Sequence, residues 1–386
     1  MSQNLKILFG LTLVHFIGDF YGSFVSPLFP VFVDKLGLSL TQIGVIAGVM
    51  RLLAFIVQPT VGYFADRYPT RRFIFTGLSL VVICIPLCGV AQNFWMLLAC
   101  VAMGSIGSSM FHPSVTGMVP VYAGSRAGFA MSVFNTGGTL AFGLGPLFIT
   151  WYVATFGLEL MPATMLVGLL GLGYLARIIP RPESEGLQRF GFLGALKESL
   201  GDVWKTVALI WLVMFLRALV GQAFLTFMPV HYVQQGFTVV EAGVIYSLFV
   251  VAGTASGLLA GHMSDRIGFK PVFLFCYLGM APTLWLLLQT GGNWAYPAAF
   301  LAGAFVLAPL PLGVSMAQKL APKGRSMVAS LMMGFAYGLG GIVSPVVGHF
   351  ADIYGIPRVL GVLIFIPLLT LPVIALFPRV GQRTGR

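Results

Sequence analysis

Three charged residues stand where charge is expensive. Asp19, Arg51 and Arg217 each lie inside a long apolar run, and an ionisable group in such a run points to function by default. His15 precedes Asp19 by four residues, a spacing that puts both on one face of a helix. His112 stands beside Pro113 in a serine-rich stretch. A carboxylate near a buried guanidinium can exchange a proton for an ion pair as its surroundings change. The guanidinium itself holds two oxygens of a carboxylate or phosphonate in its planar fork. Asp19 and His15 are therefore candidates for carrying a coupling proton. Arg51, Arg217 and His112, joined by Gln222 and Tyr246, are candidates for binding an anionic solute. The plainer readings are a fixed Asp19–Arg51 ion pair, packing roles for Gln222 and Tyr246, and a His112 that bonds backbone freed by Pro113.

Depth supports grouping them. Asp19 lies thirteen residues past Lys6, or about 20 Å along a helix. Arg51 lies ten residues past Thr41, roughly 15 Å in from the opposite side. Arg217 is eleven residues past Thr206, about 16 Å in.

The elements that position these groups follow from composition. Of 386 residues, 58% are hydrophobic and only 9% are charged, with 22 Lys and Arg against 11 Asp and Glu, a formal +11. A soluble domain carries about a quarter of its residues as charged groups, so this chain cannot coat one. Mean hydropathy is +0.94 and the pI near 9.7. The basic residues are dispersed between apolar runs rather than clustered, which excludes a nucleic-acid partner and fits an integral membrane protein. Runs near 6–32, 41–65, 73–92, 94–121, 127–151 and 160–179 predict six spanning helices. Runs near 206–233, 239–263, 271–290, 294–319, 326–350 and 357–377 predict six more. Prolines within spans (Pro27, Pro30, Pro113, Pro146, Pro229, Pro345) should kink helices rather than end them.

The polar stretch 181–205 reads as a linker between an N-terminal half, 1–180, and a C-terminal half, 206–386, with a short surface helix near 193–200. Eighteen Lys and Arg fall on the side of the termini and linker; Lys35 and Arg358 alone fall on the other. That asymmetry puts both termini in the cytoplasm. Cys84, Cys88, Cys100 and Cys276 all sit in apolar runs without metal-binding spacing, so they read as small buried hydrophobes. Neither a metal nor a cofactor is expected.

The halves align at an offset of 199. Pro30 matches Pro229, Gly37 Gly236, Gly44 Gly243, Gly62 Gly261, Asp66-Arg67 Asp265-Arg266, Arg126 Arg325, and Pro146 Pro345. Two six-helix halves of like topology are parallel repeats about an axis along the membrane normal, with a substrate site near the midplane.

At the end of the second span stands Gly62-Tyr-Phe-Ala-Asp66-Arg67-Tyr-Pro-Thr-Arg71-Arg72, and at the end of the eighth Gly261-His-Met-Ser-Asp265-Arg266-Ile-Gly-Phe-Lys270. Both resemble the loop signature of the major facilitator superfamily. The resemblance implies an all-α integral membrane fold of twelve transmembrane helices in two pseudo-symmetric halves. It gives Gly62, Asp66, Arg67, Gly261, Asp265 and Arg266 a gating role, each Asp near the positive end of a helix from the other half. Gly137-Gly138 and Gly143-Leu-Gly145-Pro146 in the fifth span resemble the superfamily's helix-5 motif, often associated with exporters, and equally suit close helix packing. The ladder Gly253, Gly257, Gly261 reads as packing.

His15-x3-Asp19, Gln58-Pro59-x2-Gly62-Tyr63-x2-Asp66 and Gly107-Ser-Ser-Met-Phe-His112-Pro113, with the fifth-span glycines, resemble the fosmidomycin-resistance family of bacterial drug exporters. That family implies proton-driven efflux of small drugs, an anionic phosphonate among them. A carboxylate commonly follows its His-Pro; here Ser114 does.

The expected function is secondary transport of a small anionic solute or drug by alternating access, as proton-coupled export. The expected protein is a monomer in the cell inner membrane, multi-pass, with protons, lipid and the solute as its partners. One alternative is uptake of an anionic metabolite by proton symport or anion exchange. Another is an intramembrane enzyme using His112 with Ser108, Ser109 or Ser114, for which the repeat supplies no second site and the sequence no third partner. No G-x-x-x-x-G-K-[ST] loop is present, so ATP does not drive it.

Overall fold

A computed structural model of the chain describes residues 3–65, 70–123, 127–180, 201–321 and 331–378. Among these residues every regular element is helical and no strand occurs. Eleven helices are long and apolar enough to cross a membrane. Those before residue 322 are α1 (Asn4–Leu36), α2 (Leu40–Ala65), α3 (Arg71–Val90), α4 (Phe94–Ala123), α5 (Ala127–Phe156), α6 (Leu158–Ile178), α7 (Gly201–Gln234), α8 (Val239–Ile267), α9 (Phe269–Gln289) and α10 (Gly292–Leu320). The eleventh by that measure is the last, α12 (Ile356–Ala375). The predicted span 326–350 begins outside the described residues. It continues, as α11 over 331–354, through a π-helical turn Leu331–Ala336, a short helix Tyr337–Ile342 and a helix Ser344–Tyr354. The predicted surface helix near 193–200 also falls outside the described residues.

Large apolar side chains lie on the exterior, Leu170, Leu258 and Leu369 being each about three-quarters exposed. An apolar exterior of that kind is covered by lipid. The protein is a multi-pass membrane protein.

The prolines divide into two kinds. Pro146 and Pro229 lie within continuous helices, as expected, and Pro113 lies within α4. Pro27, Pro30 and Pro345 instead interrupt the regular helix locally. Pro27 sits in a 3-10 turn, Ser26–Leu28, and Pro30 and Pro345 open new helical segments. A proline lacks the donor that would continue the ladder, and at the first turn of a helix that donor is not needed.

The chain divides into two units. Unit 1 is Met1–Leu38, Leu52–Gln188 and Phe237–Gly243; unit 2 is Ser39–Arg51, Arg189–Gly236 and Val244–Arg386. Gly37 and Gly236, aligned by the offset, end α1 and α7 at φ +62° and +93°, a conformation that glycine adopts without strain.

Glycines let the helices of each unit close on one another. In unit 1, a Cβ on Gly77 of α3 would lie 2.5 Å from the Gly107 carbonyl of α4, and one on Gly107 would lie 2.5 Å from the Gly77 carbonyl. The two backbones are in contact, as small residues permit between membrane helices. Gly137 of α5 faces Thr12 of α1, and Gly145 faces Ser23 and the Phe20 carbonyl. The helix-5 glycines thus seat α5 on α1. In unit 2, Gly253 and Gly257 of α8 face Leu307 and Pro311 of α10, while no described atom comes within 4 Å of a Cβ on Gly261. The predicted packing ladder has two rungs there rather than three.

Candidate coupling and substrate sites

In unit 1 the chemistry gathers around Asp19. His15 and Asp19 lie one turn apart on α1, and the helix brings His15 Nε2 to 3.1 Å from Asp19 Oδ2. His112 of α4 reaches the other oxygen, its Nε2 lying 2.9 Å from Asp19 Oδ1. The carboxylate is 3% exposed and His15 is buried, while the His112 side chain keeps 26% of its surface exposed. Asp19 is thus clasped by two imidazoles, one from its own helix and one from α4.

The ring orientations are fixed by backbone. His15 Nδ1 lies 2.9 Å from the Phe134 carbonyl of α5, and His112 Nδ1 lies 2.8 Å from the Ser108 carbonyl one turn earlier on α4. A carbonyl only accepts, so each Nδ1 carries a hydrogen and donates it. Each Nε2 is then the atom presented to Asp19. Phe134 stacks on the His15 ring at 4.1 Å between centroids, and Phe111 on His112 at 4.2 Å. Gly138 of α5 makes the remaining room: a Cβ there would lie 2.5 Å from His15 Cε1, 2.6 Å from its Nε2 and 2.7 Å from Asp19 Oδ2. Sequence reasoning assigned this glycine to helix packing and missed that it frees space for the clasp. Only the chain fold, which lays α5 on α1, could have revealed it.

The serines near His112 form no catalytic arrangement. Ser108 Oγ is 3.3 Å from His112 Nδ1, the atom already donating to the Ser108 carbonyl. Ser114 Oγ donates to the Met110 carbonyl of its own helix at 3.0 Å. The Ser114 hydroxyl is thus occupied within α4.

In unit 2, Arg51 Nε donates to Gln222 Oε1 of α7 at 3.0 Å. Because an arginine nitrogen only donates, this contact fixes the amide with its oxygen toward Arg51. Gln222 Nε2 is then buried without a hydrogen-bond acceptor among the described residues. Gly341 of α11 lies against the Arg51 stem. Arg217 is 1% exposed, the largest side chain buried to that degree, and its Nη1 donates to the Val306 carbonyl of α10 at 3.0 Å. The guanidinium that the sequence offers to the solute is buried in this structure. Tyr246 of α8 is also buried.

Of the predicted gating residues, Gly62 lies in α2, and Asp66 and Arg67 lie outside the described residues. Asp265 at the end of α8 pairs with Lys319 of α10 at 3.2 Å on the exposed surface. Arg266, beside it, is exposed. One carboxylate was missed altogether. Asp352 of α11 accepts the Leu40 and Thr41 N–H groups at 2.7 and 2.8 Å and the Thr41 hydroxyl at 2.6 Å. It caps the start of α2 from more than 300 residues away, a role that acids take at helix N-termini. Local capping rules search only adjacent residues and could not find it.

The sequence matches the profile of the Major Facilitator Superfamily over residues 11–345 and 234–385. It is 27% identical over 372 residues to the fosmidomycin resistance protein of Escherichia coli strain K12, covering 95% of this chain and 91% of that protein. It is 25% identical over 375 residues to YfnC of Bacillus subtilis strain 168, described as an uncharacterised MFS-type transporter, covering 94% and 90%. Among solved structures, a bacterial homologue of the human lysosomal transporter Spinster, inward-facing and occupied, superposes with a TM-score of 0.84 at 14% identity, covering 98% and 97% of the two chains. The nucleoside transporter NupG superposes with a TM-score of 0.79 at 13% identity, covering 98% and 99%. At such low identity these two structures speak for the fold alone.

Proposed function

The chain belongs to the major facilitator superfamily, and we propose that within it this protein exports a small anionic solute in exchange for protons. It is a transporter rather than an enzyme. The observation that carries the coupling reading is the buried Asp19 carboxylate clasped by His15 and His112. A group that bears charge inside a membrane is retained for function, and this cluster combines three groups able to take up or release a proton. His112 joins Asp19 and His15 in coupling rather than contacting the solute.

The anion reading draws on the two arginines. Arg51 presents a half-buried guanidinium beside Gln222, whose Nε2 makes no hydrogen bond among the described residues. An oxyanion accepting from both would satisfy that donor. Arg217 holds its charge deeper, bonded to the Val306 carbonyl, and contacts the solute when the α10 segment moves. Tyr246 contributes its hydroxyl to the same solute. The similarity to a protein named for fosmidomycin resistance supports export and makes that phosphonate the first probe. Gly62, Asp66, Arg67, Gly261, Asp265 and Arg266 serve as gates at the cytoplasmic side. The protein works as a monomer in the cell inner membrane with both termini in the cytoplasm.

The test is reconstitution in liposomes with fosmidomycin as solute. An imposed pH gradient should drive its accumulation, and a protonophore should abolish that. Accumulation indifferent to the gradient would remove the proton from the mechanism. Preference for a neutral or cationic solute over the phosphonate would remove the anion.

A further inference from the structure

We propose that His15, Asp19 and His112 form a binding site for one divalent transition-metal ion of the zinc class, held within unit 1 between α1 and α4. The proposal stands on the geometry of the clasp and not on the identity or direction of any solute; because ligating groups must be deprotonated, the ion and the coupling proton compete for the same atoms.

The three donor atoms all lie within 4.8 Å of one another. Zinc takes imidazole nitrogen and carboxylate oxygen at about 2.0–2.1 Å in tetrahedral geometry, which spaces neighbouring ligand atoms about 3.3–3.4 Å apart. The two His–Asp contacts measure 3.1 and 2.9 Å. A few tenths of an ångström of opening at each His–Asp contact, with the two imidazoles drawing together from a separation of at most 4.8 Å, admits the ion. His112, the partly exposed member, has the freedom to supply it, and its exposed edge is the route of entry and the place for a completing water.

The surroundings are those of a ligand set. A histidine that binds metal through one nitrogen almost always donates from the other to a carbonyl or carboxylate, which fixes tautomer and ring direction. Both histidines do so here, His15 to the Phe134 carbonyl and His112 to the Ser108 carbonyl. Both Nε2 atoms and the Asp19 oxygens therefore converge on one region, where a single cation meets the lone pairs of all three. The stacked rings of Phe134 and Phe111 restrain the imidazoles, and the missing side chain of Gly138 leaves the approach to His15 and Asp19 clear. Two imidazoles and one carboxylate suit zinc, cobalt, nickel or copper and not magnesium or calcium, which favour oxygen alone. The sequence hides this set because His112 lies more than ninety residues from the His15–Asp19 pair; only the packing of α4 on α1 assembles it.

The experiment uses the full chain, purified in detergent, with any affinity tag removed and metals stripped by a chelator. Zn2+ is titrated by calorimetry, and Co2+ by visible absorption. The expected result is one saturable ion per chain, with the strong visible bands of low-coordinate cobalt. His112→Ala should weaken Zn2+ binding at least about 100-fold, more than loss of an outer hydrogen bond to a ligand does, while the protein stays monodisperse. If His112→Ala fails to fold, His112→Gln, which keeps the volume and loses the imidazole, gives the same reading. A variant with His231, His262 and His349 all changed to Ala should bind as the parent does. The proposal is overturned if the folded parent shows no one-site binding, if binding survives the His112 substitutions unchanged, or if it disappears in the triple variant.

Discussion

Substituting Gly138 by Ala tests the clasp with one carbon atom. An alanine Cβ would lie 2.5 Å from His15 Cε1, 2.6 Å from His15 Nε2 and 2.7 Å from Asp19 Oδ2. Non-bonded carbon atoms rest about 3.5–4.0 Å apart, so ring and carboxylate must retreat by roughly 1 Å. Neither can do so freely. His15 is held by the Phe134 carbonyl and stacked on its ring, and Asp19 is held from its far side by His112. The retreat therefore breaks the 3.1 Å His15–Asp19 contact. Overpacking of this kind costs about 1–3 kcal/mol. Replacing a helical glycine by alanine returns roughly 0.5–1 kcal/mol, so a control is needed. Gly173→Ala on α6 supplies it, because no described atom lies within 4 Å of a Cβ there. We expect Gly138→Ala to be less stable than Gly173→Ala by ~1–3 kcal/mol, read by denaturant unfolding in detergent. Gradient-driven transport should fall in the first and persist in the second. If Gly138→Ala unfolds and transports as Gly173→Ala does, the clasp is not tightly held and the reasoning fails.

Asp19→Asn should lose gradient-driven accumulation of fosmidomycin in liposomes while keeping its fold and some solute binding; undiminished driven transport would remove Asp19 from coupling. Asp352→Ala should destabilise the protein by about 1 kcal/mol, the usual cost of a lost N-cap, and Asp352→Asn by less; equal stability of all three would show that the cap contributes nothing. Single cysteines at Ser184 and Gly292, in a protein lacking its native cysteines, should label from opposite sides of the membrane, and labelling from one side would break the twelve-span topology. Arg217→Lys keeps the charge and loses the planar fork, so fosmidomycin binding should weaken in a normally inserted protein, while binding by Arg217→Ala as tight as the parent's would confine Arg217 to a structural role.

The helices were legible because hydropathy and length determine what crosses a membrane, and neither requires knowledge of a neighbour. Pro27, Pro30 and Pro345 interrupt the regular helix locally within spans that run on past them, whereas Pro146 and Pro229 do not, a difference that depends on packing and not on local sequence. The candidate coupling site was half legible. The four-residue spacing of His15 and Asp19 announces a shared face, and the structure pairs them at 3.1 Å. That His112 completes the site, and that Gly138 vacates space for it, depend on which helices touch. Asp352 shows the same limit at a helix end, since its partners lie in a segment that no local pattern connects to it.

The repeat itself carries the last inference. Set against the second half at the offset of 199, His15 meets Met214, Asp19 meets Ala218 and His112 meets Pro311. In the other direction Arg217 meets Gly18, Gln222 meets Ser23, Tyr246 meets Ala47, and Arg51 meets Val250. No ionisable group of either site has an ionisable counterpart, whereas the matched residues are glycines, prolines and the loop Asp-Arg pairs. What the halves share is therefore what shapes and joins helices. What they do not share is charge: the acid held between imidazoles and each of the two guanidinium groups stand opposite an uncharged residue of the other half. Each buried charge is costly and points to function by default. Gly18 makes the point at one position. A Cβ there would strike the Phe111 ring, the ring that stacks on His112. An arginine at that position, as the second half has in Arg217, would displace the very support on which the acid's clasp depends.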